Sequence, residues 1–369
     1  MDRDKIVQYL IPLLESKHAL ILEYATNTGK SGISIKLAEA IKAQSVYIVV
    51  AEQLHIKNWE HEIQKFQKEG LSDKVTIFCY HSLSKYANTQ VDLLICDEAH
   101  HISEARGDIL STINAKKVIA LTGTLPVEVK YRITCLWPNY KLDKITIDKI
   151  IQEKIAGFPT IHLVPTELDD IEKKCFFNKK VYTTKELYAV LSSKINAESE
   201  KENKQYANIL GLQRKRLMSE AKTTSIDLLL EELKDSRVLC FCGSIEQTEV
   251  LKSKIRIPIV STQTKKEAQE LFDKFNFEEI NIVLAVNKLR EGVNINKIEV
   301  VIISSFENTS KGFFQMLGRA VRNLDGVDII LLYAKDTKEE FLILDYLNSF
   351  KEKKVINYAT IRDFNLKNV

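Results

Sequence analysis

Ala25-Thr26-Asn27-Thr28-Gly29-Lys30-Ser31 follows a short apolar run, Ala19 to Leu22, and precedes a segment with Ile33, Leu37 and Ile41 at helical spacing. A buried strand, a tight loop ending Gly-Lys-Ser and then a helix form the setting in which backbone N–H groups and a helix N-terminus face a phosphate. In that setting Lys30 reaches the β- and γ-phosphates and the Ser31 hydroxyl ligates Mg²⁺. The pattern GxxxxGK[ST] is incomplete, because Tyr24 stands where its first Gly belongs. Asn27 and Gly29 are residue types that still supply left-handed backbone angles to such a loop.

Further along, Val91 to Cys96 reads as a strand that delivers Asp97-Glu98-Ala99-His100 to a sheet's C-terminal edge. Beside a phosphate loop, the first carboxylate holds the Mg²⁺ shell and the second orients and deprotonates an attacking water. A charged helix N-terminus is the plainer reading of such a pair. The run Lys117 to Leu121 ends in Thr122-Gly123-Thr124, whose short hydroxyl residues suit either a nucleotide-sensing switch or a simple turn.

The chain has 369 residues, so two domains are expected, since single cores stop growing near ~250–300 residues. Apolar content of 45% and charged content of 28% exclude a disordered or fibrous class, and the scarcity of Gly (12) and Pro (6) favours a helix-rich α/β fold. A net charge of only +3 means that nucleic acid, if bound, meets a local cleft and not a broadly basic surface. The six Cys form no CxxC pair, and the seven His form no ligand cluster, so disulfides and zinc are not expected. No apolar run approaches ~18 residues and the N-terminus lacks a signal pattern, so a cytoplasmic (intracellular) protein without a membrane span is expected, in the host cytoplasm if viral. A Lys-, Ile- and Asn-rich composition fits an AT-rich bacterial or viral genome.

Residues 5–16 read as a helix carrying Gln8, either a solvated residue or an adenine contact. Buried strands follow at Val46–Val50 and Val75–Cys79, separated by a helix face of Ile56, Trp59, Ile63 and Phe66. The alternation pauses at Gly157-Phe158-Pro159. The domain organisation read from this is 1–157, a nucleotide-binding domain; 158–222, a connecting strand and Lys/Glu-rich helical insert; and 223–369, a second α/β domain. The insert's charges suit a solvated surface or a grip on nucleic acid. In the last domain, strands are read at Val238–Cys242, Ile257–Val260, Ile280–Val286, Val300–Ser304 and Val327–Tyr333. Gln315, Arg319 and Arg322 share one face if helical, and such guanidinium groups suit charge developing on a γ-phosphoryl group.

In order and spacing these motifs resemble those of the superfamily 2 helicases and translocases across nearly the whole chain: Ala25 to Ser31, Asp97 to His100, Thr122 to Thr124, Asn287 to Asn294, and Gln315-x-x-Gly-Arg-x-x-Arg322. The first half, with Asn58-Trp59-Glu60 and Leu121 to Pro126, looks most like the Swi/Snf branch; the second half looks closer to type III restriction and XPB-like helicases and phage relatives. The resemblance implies two tandem RecA-like domains with parallel sheets and ATP and Mg²⁺ between them. It assigns Lys30, Asp97, Glu98, Gln315, Arg319 and Arg322 to catalysis. Gln8, Thr26, Asn27, Thr28, Gly29, Lys30, Ser31 and Gly292 fall to the nucleotide, and Ser31 and Asp97 to the metal. Ser82, Ser244, Thr262 and Lys288 are strand-end candidates for nucleic-acid contact.

The expected function is an ATP-dependent motor on single- or double-stranded DNA, largely independent of sequence, with a protein partner supplying targeting. An RNA helicase, and a nucleotide-gated clamp on nucleic acid or protein without processive motion, are the alternatives. A phosphate-loop kinase or metabolic ATPase leaves the Gln315/Arg319/Arg322 face without a role.

Overall fold

In the computed structural model the chain divides into two compact units, Met1–Ile155 and Ala156–Val369. The structure describes residues 3–26, 28–67, 70–255, 259–260, 270–271, 274–286, 298–306, 326–348 and 351–364.

The first unit holds strands β1 (Ala19–Tyr24), β2 (Val46–Val50), β3 (Val75–Cys79), β4 (Gln90–Cys96), β5 (Asn114–Thr122) and β6 (Tyr140–Ile145). They form one wholly parallel sheet in the order 3-2-4-5-1-6. Helices α1 (Arg3–Ser16), α2 (Lys30–Ala40), α3 (Gln53–Phe66), α4 (Glu104–Ser111), α5 (Val127–Leu136) and α6 (Ile147–Gln152) complete the unit. The central strands are near-continuous apolar runs because both sheet faces are covered: five of six residues in β1 are buried. The edge strand β6, Tyr-Lys-Leu-Asp-Lys-Ile, buries only Ile145. With no apolar run, it escapes detection from sequence.

This strand order positions the site. β1 and β4 flank β5, with Glu23 level with Thr122 and Cys96 level with Ala120. The loop leaving β1, the acidic pair leaving β4 and the Thr-Gly-Thr turn leaving β5 therefore converge at one C-terminal edge, where open parallel sheets bind ligands.

The second unit is a seven-stranded parallel sheet: β7 (Pro159–Thr166), β10 (Val238–Cys242), β11 (Ile259–Val260), β12 (Ile282–Val286), β13 (Val300–Ile303), β14 (Val327–Ala334) and β15 (Lys354–Asn357), in the order 11-12-10-13-14-7-15. β10, β12 and β13 are buried at every position. Between β7 and β10 lies the expected helical insert, with one correction. It opens as an antiparallel hairpin, β8 (Cys175–Phe177) and β9 (Lys180–Tyr182), before its helices α7 (Thr184–Glu200) and α8 (Lys204–Glu232) begin. Thr183 starts α7 with a reciprocal capping box to Glu186, which fixes where strand gives way to helix. α8 runs unbroken through residues 222–223.

Polar contacts pin α8 to the sheet. A Cβ on Gly243, just past β10, would run into the Ser219 hydroxyl. Lys222, 1% exposed, donates to the Ser304 carbonyl and to both carboxylate oxygens of Glu339, at 2.7 and 2.9 Å. Glu339, on the helix Lys338–Asn348, also accepts from the Ala334 N–H at 2.8 Å.

Candidate nucleotide site

Gly29 caps α2 in the left-handed region, at φ 75° and ψ 37°, an angle only glycine adopts freely. Before it, the Thr28 hydroxyl donates to the Ala25 carbonyl at 2.9 Å and closes the loop on itself. Lys30 turns its Nζ inward to the Tyr24 carbonyl, 2.9 Å away. Ser31 follows in the first turn of α2, half-buried. Tyr24 replaces the first glycine of the pattern because its side chain has a core role. It is fully buried, its hydroxyl donates to Asp143 Oδ2 at 2.6 Å, and burial raises its pKa far above the ordinary phenol value. Only its carbonyl serves the loop.

The Arg3 guanidinium at the start of α1 rests against this loop, and a Cβ on Gly29 would collide with it. The same guanidinium lies 5.4 Å from the centre of the Phe66 ring. Gln8, on α1, is exposed, and Thr26 is half-buried in the loop. Asn27 lies outside the described residues.

Across the end of β5, Asp97 is held from three sides. Trp59 Nε1 donates to its Oδ2 at 2.8 Å, the Glu98 N–H to its Oδ1 at 2.9 Å, and the Tyr80 hydroxyl to its carbonyl at 2.9 Å. Part of Asp97 stays open at the strand end, but protein packs round it closely enough for burial to push its carboxyl above the usual range. The neighbouring Glu98 pushes the same way, while the Trp59 hydrogen bond, His55 and Lys30 oppose the shift. Glu98 itself adopts φ 45° and ψ 54°. A non-glycine residue there is strained by about 1–3 kcal/mol, a cost that recurs at functional positions. Its Oε2 is buried and receives no aligned hydrogen bond, although His100 Nδ1 stands 3.3 Å away.

His100 links this acidic turn to the next. Its Nδ1 lies 3.1 Å from the Thr122 hydroxyl, which donates to the Thr124 carbonyl at 2.6 Å. Gly123, between those threonines, has the Lys30 Nζ 4.0 Å from where its Cβ would stand. The three strand ends thus form one connected cluster. Sequence reasoning missed His55, Tyr80 and Arg3 as its neighbours, and read Trp59 as one of a helix's core positions. The spacing of His55 and Trp59, four apart on α3, puts them on one helix face without indicating what that face meets, and Arg3 and Tyr80 carried no signal.

Among the described residues, no group of three His, Cys, Asp or Glu could by itself hold a metal ion. The donors present, the Ser31 hydroxyl and one aspartate, match Mg²⁺, which takes one or two protein oxygens together with substrate phosphates and waters.

The proposed nucleic-acid contacts separate. Ser82 lies half-buried in the turn after β3. Ser244 is 8% exposed, and its hydroxyl accepts from the Gln247 N–H at 3.1 Å, which commits it to starting α9 (Ile245–Ile255). Thr262, Lys288, Gly292, Gln315, Arg319 and Arg322 lie outside the described residues.

Residues 4–127 match the family model "Type III restriction enzyme, res subunit", and residues 221–324 match "Helicase conserved C-terminal domain". The restriction-enzyme match therefore falls on the first half, which the motifs had assigned to the Swi/Snf branch, and neither family match supports that branch. The chain is 22% identical to a DNA 3'-5' translocase XPB2 of Sulfurisphaera tokodaii, over 88% of this chain and 79% of that protein. A shorter stretch, 28% of this chain and 16% of the relative, is 26% identical to UvrABC system protein B of Helicobacter pylori. The fold is similar to that of the Pyrococcus furiosus Hef helicase domain, with TM-score 0.57, 13% identity, and coverage of 94% of this chain and 99% of that one. It is also similar to Saccharomyces cerevisiae Dbp5 bound to RNA and ADP BeF3, with TM-score 0.64, 12% identity, and coverage of 96% and 89%.

Proposed function

We infer that this chain, an ATP-hydrolysing helicase of superfamily 2, is a DNA translocase whose first unit carries the phosphate and water chemistry. One observation carries the assignment of residues. Lys30 behind the left-handed Gly29, and the strained Glu98 whose buried Oε2 receives no aligned hydrogen bond, stand at the ends of the two strands that flank β5 in one sheet.

Each group has a task there. The α2 N-terminus and the loop N–H groups bind the β-phosphate. Lys30 exchanges the Tyr24 carbonyl for phosphate oxygens. Ser31 and Asp97 hold Mg²⁺, which neutralises phosphate charge when bound. Glu98 takes the proton of the attacking water on its carboxylate, whose buried Oε2 receives no aligned hydrogen bond. The His100–Thr122 contact passes the position of Glu98 to the turn after β5. Arg319 and Arg322 would add positive charge at the γ-phosphoryl group; their part rests on their spacing alone. DNA as track is supported by the translocase relative, and contacts mainly to phosphates would make binding independent of sequence.

The test is steady-state ATPase activity without polymer and with single-stranded DNA, duplex DNA or RNA. DNA should stimulate the wild type. Lys30→Ala and Glu98→Gln should each lower the stimulated rate by about a hundredfold or more, and Arg322→Ala should lower it too. Activity indifferent to every polymer would overturn the motor reading, and stimulation by RNA alone would overturn DNA as the track.

A further inference from the structure

The β8–β9 hairpin carries a feature that the motor chemistry leaves unused. Its cross-strand pairs are Cys175 with Tyr182, Phe176 with Val181, and Phe177 with Lys180. Strand alternation sends Cys175, Phe177 and Tyr182 to one face, where they pack on Leu187, Leu191, Leu210 and Leu217 of α7 and α8. Lys194 sits 5.2 Å over the Phe177 ring on that anchored side. The opposite face presents Phe176, 72% exposed, beside Val181, 48% exposed.

The support is stiff. Asn178 and Lys179 both take positive φ, 49° and 64°, in a two-residue turn whose twist matches that of the strands. Thr183 caps α7 immediately after β9. An aromatic ring held outward on a rigid, anchored hairpin does nothing for the core.

Its surroundings are chemically specific. Phe176 borders an open cleft of about 640 Å³ that is also lined by Gln213 and Arg216 of α8. Arg216 is exposed and only loosely paired, 3.6 Å from an equally exposed Glu246. Asp169 and Lys174, which also line the cleft, satisfy each other at 3.0 Å, Glu167 on its rim lies 3.6 Å from Lys335, and Glu220 of α8 adds one more carboxylate. At the hairpin tip, the ammonium groups of Lys179 and Lys180 have no acidic partner among the described residues. A flat apolar ring, an amide and a guanidinium around a cleft, with two unneutralised cations outside it, complement a nucleobase followed by its backbone phosphates.

We propose that this hairpin and α8 form a contact for unpaired nucleic acid: a base stacks on Phe176, its edge meets Gln213 and Arg216, and Lys179 and Lys180 take the adjoining phosphates. The proposal rests on the motor reading and adds to it the form of strand gripped by the second unit. Stacking makes the contact tolerant of sequence, because every base has a face to offer.

The test is fluorescence anisotropy of the full chain with labelled single-stranded and duplex oligonucleotides across a salt series. Phe176→Ala should weaken single-strand binding by about tenfold, within the range for loss of one base–aromatic stack. It should leave the salt slope and duplex binding unchanged, and Phe176→Trp should restore the affinity. Lys179→Ala/Lys180→Ala should instead reduce the slope of log K against log salt by about 1.4, from ~0.7 per phosphate contact on a single strand. Thermal melts confirm folding, which an exposed ring and two exposed lysines do not support. Single-strand affinity of Phe176→Ala within twofold of a binding wild type would overturn this contact and leave the face to a protein partner. A wild type that binds no nucleic acid at all would overturn it through the motor reading instead.

Discussion

Asp97, the proposed Mg²⁺ ligand, occupies a position whose charge costs stability. Its carboxyl is held above the ordinary range by burial and by Glu98, so the folded state binds this proton more tightly than the unfolded chain does. Ionisation therefore costs folding free energy; the penalty is absent below the ordinary aspartate pKa of about 4 and grows as pH rises through the higher folded value. Asp97→Asn should consequently melt at or above the wild-type temperature at pH 7, with that advantage shrinking as pH falls toward 4, while ATPase activity is lost. A lower melting temperature at pH 7 would show that ionised Asp97 contributes more through Trp59 and Glu98 than it loses by burial. Gly29 makes a second point. Alanine there faces both a left-handed angle, costing about 1–2 kcal/mol, and the Arg3 guanidinium. Gly29→Ala should destabilise by at least that amount, and Arg3→Ala in the same chain should return only the excess. Equal melting of the single and double variants would mean that Arg3 does not rest on the loop.

At the scale of elements, α8 is fastened to the second sheet by charge as well as by packing. Burial lowers the pKa of Lys222, against the attraction of Glu339, so the pair owes its ionised form to a close partner. Removing one member of a buried pair strands the other and typically costs about 3–5 kcal/mol, whereas replacing both with apolar groups is often neutral. Lys222→Met and Glu339→Leu should each destabilise by that order in denaturant titrations, and the double variant should recover most of the loss. Additive losses would show that the Ser304 and Ala334 backbone contacts carry the fastening instead.

Across the whole molecule, each unit has a core of its own, one around Ile21, Val49 and Ala120 and one around Val164, Leu230 and Leu284. Among the described residues, no helix is long and apolar enough to cross a membrane. Residues 1–155 alone should therefore melt cooperatively and bind nucleotide, while DNA-stimulated hydrolysis is lost with the second unit, whose residues 315–322 carry the guanidinium groups of the proposed mechanism. DNA-stimulated hydrolysis by that fragment at the full-length rate would place the whole chemistry in the first unit.

Two parallel-sheet units were legible in the sequence because buried parallel strands such as Val46–Val50 and Val238–Cys242 are unbroken apolar runs, and their spacing admits only helical connections. The phosphate loop and the acidic pair were legible for a related reason: each is set by local backbone geometry, a left-handed Gly29 before a helix and a turn at the end of a strand. The edge strands β6 and β15 and the β8–β9 hairpin were not, since short half-exposed strands carry little apolar pattern and are held by partners distant in the chain. Trp59 read as a core residue of α3, and nothing in its spacing tied it to Asp97; that hydrogen bond exists because β2 and β4 lie side by side. The sequence by itself determined which residues are candidates for phosphate chemistry. Only tertiary structure decided which neighbours hold them, because strand order brings together residues that chain position keeps apart.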